Sequence, residues 1–103
     1  MLILCREIEN SNFSTINNIN NSTINITENS TINNNGGGSI INDGTINNKY
    51  LIKNDGTITN VDTITNYVEC TINNNGKICE FEGSKINPRG TINGNQPVIC
   101  EES

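Results

Sequence analysis

Isoleucine returns along this chain at even intervals. Ile16, Ile24, Ile32 and Ile40 lie 8 residues apart, and Ile40, Ile46, Ile52, Ile58 and Ile64 lie 6 apart. From Ile64 to Ile92 eights and sixes alternate, by way of Ile72, Ile78 and Ile86. Most of these isoleucines follow a Thr, and many precede an Asn, so the local pattern is polar, apolar, polar. An even interval keeps every isoleucine on one face of an extended chain, because side chains in a strand alternate with period 2. Thr and Ile are β-branched and suit a pleated surface. The pattern predicts strands of three or four residues with Thr outward and Ile inward, each ending at a corner, and coils that stack Ile on Ile. That is an all-β, single-stack β-solenoid.

The corners have turn chemistry. Asp43-Gly44, Asp55-Gly56, Asn75-Gly76 and Arg89-Gly90 each set a Gly two residues before an inward Ile. Asn, Asp and Gly are the residues that tolerate left-handed backbone. Alternation of sixes and eights means that the corners vary in length while the strands do not. Asn recurring at equivalent corners can stack into amide ladders along the axis, each side chain donating and accepting. Two cross-sections fit: a triangular form with coils of 18–20 residues, or a flat two-sheet roll with coils of 12–14. Six-residue faces favour the triangle. The solenoid core is then Ile16, Ile24, Ile32, Ile40, Ile46, Ile52, Ile58, Ile64, Ile72, Ile78, Ile86 and Ile92. Residues 1–10 read as an N-terminal cap or interface strand, 11–96 as the coils and 97–103 as a C-terminal interface strand.

Composition supports this and narrows the function. With 32% hydrophobic and 4% aromatic residues in 103, an ordinary two-layer core is out of reach. The isoleucine columns must replace it, each buried Ile contributing roughly 1.5–3 kcal/mol. An Asn-rich chain can also be disordered, but random low complexity does not hold Ile in phase over so many units. Net charge is −5, and the cations Arg6, Lys49, Lys53, Lys77, Lys85 and Arg89 are scattered. No basic patch with stacking aromatics points to nucleic acid, and no apolar run has the 18–20 residues of a membrane span. The opening Met1-Leu2-Ile3-Leu4-Cys5 is too short for a signal-peptide core, so no signal peptide is visible. There is no His, the commonest general base and metal ligand. Asp43, Asp55 and Asp62 sit at or near corners, where turn roles suffice. The expectation is therefore no enzyme, no metal and no cofactor.

The four cysteines, Cys5, Cys70, Cys79 and Cys100, lack zinc-site spacing and are the candidate disulfide set. Leu2-Ile3-Leu4-Cys5-Arg6 and Val98-Ile99-Cys100-Glu101 are both short apolar strands ending in Cys and then a charge, of opposite sign in the two cases. A solenoid exposes unpaired strand edges at both ends, which invite edge-to-edge association unless capped. The expected subunit interface is therefore Leu2, Ile3, Leu4, Cys5 and Arg6 against Val98, Ile99, Cys100 and Glu101 of another copy. A Cys5–Cys100 crosslink and an Arg6–Glu101 ion pair would reinforce a head-to-tail filament.

The Gly-Thr-Ile-x-Asn units, as those that begin at Gly44 and at Gly56, resemble the Asn/Thr/Ile-rich solenoid repeats of microbial surface adhesins and viral fibre proteins. The resemblance implies a structural or surface-interaction role; the expected setting is an extracellular filament, a cell surface or a virion, and the expected partners are further copies of the chain and a glycan or host surface. Hexapeptide-helix acyltransferases are similar in their six-residue faces, but their catalytic His has no counterpart. Ice-binding solenoids offer a different class: Thr57-Ile58-Thr59 and Thr63-Ile64-Thr65 resemble the paired threonines of the insect forms. A carbohydrate- or surface-recognition module is a further alternative.

Overall fold

The computed structural model describes residues 2–4, 7–10, 14–87 and 90–100. Within them the chain is all-β and winds through five successive turns of three short strands. The first turn holds β1 (Leu2–Leu4), β2 (Glu7–Asn10) and β3 (Thr15–Asn18), and the second β4 (Thr23–Ile26), β5 (Thr31–Asn34) and β6 (Ser39–Asn42). The third is built from β7 (Thr45–Asn48), β8 (Leu51–Asn54) and β9 (Thr57–Asn60), the fourth from β10 (Thr63–Asn66), β11 (Thr71–Asn74) and β12 (Lys77–Glu80). Finally come β13 (Lys85–Ile86), β14 (Thr91–Gly94) and β15 (Val98–Ile99). Three five-stranded parallel sheets result: β1-β4-β7-β10-β13, β2-β5-β8-β11-β14 and β3-β6-β9-β12-β15. Three sheets make the cross-section triangular and exclude the flat roll.

Isoleucine pairs with isoleucine in every sheet: Ile24 with Ile46 and Ile46 with Ile64, Ile32 with Ile52 and Ile52 with Ile72, Ile40 with Ile58 and Ile58 with Ile78. These columns are the core, and Ile8, Ile16 and Ile92 pack half-buried at their ends. The step between stacked residues is 18 to 20 in the middle of the stack, but reaches 22 and 24 near the N-terminus. The coils are thus longer there than the 18–20 residues expected. The reason lies in the corners. Those after β3, β4, β5, β10 and β12 hold four residues; those after β6, β7, β8, β9 and β11 hold two.

Each corner type has its own backbone solution. In the four-residue corners the third residue takes a left-handed conformation: Asn21, Asn29, Gly37, Glu69 and Gly83. The fourth donates its N–H to the first residue's carbonyl, as from Ser22 to Ile19 and from Cys70 to Tyr67. That is the type II turn, which requires positive φ at its third position. The two-residue corners use Gly for a different reason from the one read in sequence. Gly44, Gly56 and Gly76 have no positive φ; a Cβ on them would lie 2.1–2.2 Å from a carbonyl oxygen of the preceding coil. They are glycine because the backbone passes too close for any side chain.

The fourth strand position also points inward, and it is usually Asn. Asn34, Asn42, Asn48, Asn54, Asn60 and Asn66 are buried as completely as the isoleucines. One amide N–H of each goes to the next coil's amide oxygen wherever the ladder continues: Asn10 to Asn34, Asn34 to Asn54 and Asn54 to Asn74 at 2.8, 2.8 and 2.7 Å. Asn18 to Asn42 to Asn60 and Asn48 to Asn66 form the second and third ladders, at 2.9, 3.0 and 2.8 Å. The amide nitrogen also reaches corner carbonyls, as from Asn34 to Gly38 and Thr57. Buried carbonyls without donors are costly. Asn is the residue that can supply them and still accept from the neighbouring rung.

Candidate assembly faces

A solenoid has two ends, and each strand there has a hydrogen-bonded neighbour on one side only. At the N-terminal face these strands are β1, β2 and β3; at the C-terminal face they are β13, β14 and β15. Residues 1–10, set apart in sequence, thus contribute strands that pair in register with the second coil, Leu2 on Ile24 and Ile8 on Ile32. Among the described residues nothing covers the bore at either face. Ile8 and Ile16 are half-buried at one end and Ile92 at the other, whereas isoleucines in the middle of the stack are excluded from solvent.

Polar chemistry differs between the faces. On the N-terminal face Asn10 and Asn18 begin two of the ladders, and among the described residues nothing donates to their amide oxygens. Glu7 and Glu9 are exposed there, and Glu7 accepts a hydrogen bond from the Asn33 amide. At the C-terminal face the ladders stop: the last amides donate to main-chain carbonyls, Asn74 to Asn95 and Asn60 to Lys85. Gly94 occupies the slot that Asn74 fills one coil earlier.

The cysteines depart from the expected arrangement. Cys79 and Cys100 form a disulfide within the chain, with Cα atoms 5.4 Å apart, so Cys100 is not free for a Cys5–Cys100 crosslink. The bond ties β15 to β12, where Val98 lies beside Cys79 and Ile99 beside Glu80. Sequence reasoning paired Cys100 with Cys5 of another copy and not with Cys79, one coil below. Cys5, Arg6 and Glu101 lie outside the described residues. Topology also separates the two apolar end segments: Leu2–Leu4 belongs to the sheet that ends in β13, Val98–Ile99 to the sheet that begins with β3.

Cys70 carries a free thiol, half-buried in the corner before β11. Burial, and then the neighbouring Glu69 carboxylate, raise its pKa above the ordinary thiol value. A groove of about 800 Å³ lies beside β15, lined by Val61, Phe81, Ser84 and Ile99 among others. The Ser84 hydroxyl is buried there without a hydrogen-bond partner among the described residues. Val98 and Ile99 stand out from this end, 46% and 83% exposed.

On the outside, the sheet containing β4, β7 and β10 carries the most regular polar surface. Thr23, Thr45 and Thr63 form one column, and Asn25, Asn47 and Thr65 the column beside it. In the other two sheets Glu7, Glu9, Leu51, Lys53, Ile41, Lys77 and Cys79 interrupt such columns. Comparison with protein-family models, with curated proteins and with solved structures found no match.

Proposed function

We propose that this protein is a non-catalytic structural subunit that stacks head-to-tail through its end coils into a β-solenoid filament. The observation that carries this reading is the pair of end faces, which among the described residues present three parallel strand edges each, in the same sense, with Ile8 and Ile16 half-buried at one and Ile92 at the other. A second copy placed on the C-terminal face continues all three sheets without rotation, β13 meeting β1, β14 meeting β2 and β15 meeting β3. Rotation by one sheet would offset the rise of the winding and leave an edge unpaired. Ile92 then covers Ile8. Each junction buries apolar surface and pairs open main-chain groups, the two terms that drive edge-to-edge association. The intramolecular disulfide supports an oxidising, extracellular setting, such as a cell surface or virion exterior.

Negative-stain microscopy tests the reading. The wild-type protein is expected as thin uniform rods. Ile92→Lys or Ile8→Lys, which puts a charge on one open face only, is expected to give separate particles with an unchanged circular dichroism spectrum. Isolated wild-type particles at high concentration would sink the filament.

The regular Thr and Asn columns on the β4-β7-β10 sheet favour a second reading, an ice-binding face. Its measurement is thermal hysteresis, expected to fall on Thr45→Lys if this reading holds and to be absent from the wild type if it does not.

A further inference from the structure

Every register step between stacked strands is even except one. From β12 to β15 the step is 19, Cys79 to Val98 and Glu80 to Ile99. A shift by one residue turns side chains to the opposite face of a strand. Pro97, not Val98, therefore stands over the inward Ile78, and Val98 is left 46% exposed. The sequence itself aligns differently. Thr91-Ile92-Asn93-Gly94 pairs with Thr71-Ile72-Asn73-Asn74 at a step of 20; continuing that step sets Pro97 on Lys77, Val98 on Ile78 and Cys100 on Glu80. It also restores the two-residue corner, Asn95-Gln96, that Asn75-Gly76 forms one coil earlier.

The disulfide coincides with the exception. Cys79 occupies an outward position. In the observed register Val98 is the neighbour of Cys79, and the chain beyond β15 brings the Cys100 Cα within 5.4 Å of that of Cys79, where the two sulfurs bond. At a step of 20 Ile99 would be the neighbour of Cys79, and Cys100 would stand beside Glu80. The observed bond accompanies the odd register.

We propose that the Cys79–Cys100 disulfide is a redox-controlled register switch that holds β15 one residue out of phase. Reduction lets the strand slip into phase, turns Val98 inward over Ile78 and changes the apolar surface of the C-terminal face. A dithiol reductant supplies two electrons and two protons. The S–S bond breaks, both sulfurs become thiols, and the reductant's own sulfurs join. Burial of one valine side chain corresponds to about tenfold or more in the ratio of the two registers.

Two variants in a Cys70→Ser background read the register directly, whether or not filaments form. With Cys100→Ser and Ile99→Cys, the new thiol lies beside Cys79 only in the even register. With Cys100→Ser and Val98→Cys, it does so only in the odd one. Under the same mild oxidant, peptide mapping is expected to show the bond to Cys79 forming about tenfold faster in the Ile99→Cys variant. Faster closure in the Val98→Cys variant overturns the switch. So does slow closure in both, which would mean that β15 detaches on losing its native bond. Retention of the Cys79–Cys100 bond by Cys70→Ser alone checks that the background is sound.

Discussion

At the scale of single residues, a buried amide does what an apolar side chain cannot. Asn54 donates to Asn74 and to main-chain carbonyls while accepting from Asn34. Truncation takes the donor from the Asn74 amide oxygen and the Lys77 carbonyl and an acceptor from Asn34, and each unsatisfied buried group costs about 1–3 kcal/mol. Asn54→Ala is expected to lose several kcal/mol in urea unfolding, more than Asn93→Ala, whose exposed amide bonds water as readily as Asn73. Glu69 shows the reverse situation: a side chain where the backbone wants none. It sits at φ 75°, in the slot that Gly37 and Gly83 fill in equivalent corners. Glu69→Gly is expected to be neutral or stabilising by up to about 1 kcal/mol, relief of strain offsetting the freer unfolded chain. The same substitution removes the charge facing Cys70. Because thiolate is the reactive form and the Glu69 carboxylate disfavours it, alkylation of Cys70 should be slow in the wild type at pH 8. It should accelerate in Glu69→Gly; an unchanged rate would leave burial alone as the cause.

At the scale of elements, the strands were legible in the sequence because one rule decides them. Even isoleucine spacing fixed which residues point inward, and sixes and eights correspond to corners of two and four residues between strands of constant length. The sequence places amide ladders at the corners; they run instead through the fourth strand position, where the Asn after Thr-Ile-Asn falls on the inward side again. What stayed hidden depended on contacts between coils. Gly44 and Gly56 look like left-handed turn residues, and only the carbonyl of the preceding coil reveals that they are there for clearance. The slip at β15 was invisible because the repeat Thr-Ile-Asn carries on through Thr91 while a covalent bond overrides it. Parity also predicts tolerance. Two residues inserted between Asp55 and Gly56 convert one corner type into the other, whereas one inserted residue sets Ile58 and Asn60 out of phase with Ile40 and Asn42, their partners one coil earlier. The single insertion is expected to lower the Tm by far more than the double one.

For the whole molecule, stability is a sum of rung-to-rung interfaces, so the middle is held from both sides and the ends from one. Hydrogen exchange of the dispersed protein is expected to be slowest in β7, β8 and β9, and fastest in β2 and β14. Stacking of copies should slow β2 and β14 selectively; uniform exchange along the chain would contradict a one-dimensional array. The amide ladders give this array a direction. In all three, nitrogen belongs to the earlier coil and oxygen to the later one. Their small dipoles therefore add along the axis, in a dry interior where they are poorly screened. Exposed amides running the opposite way, such as Asn93 to Asn73, are bathed in water and offset little. The prism is consequently an electret, faintly negative where the chain enters and faintly positive where it leaves. Two such bodies attract in tandem and repel nose to nose.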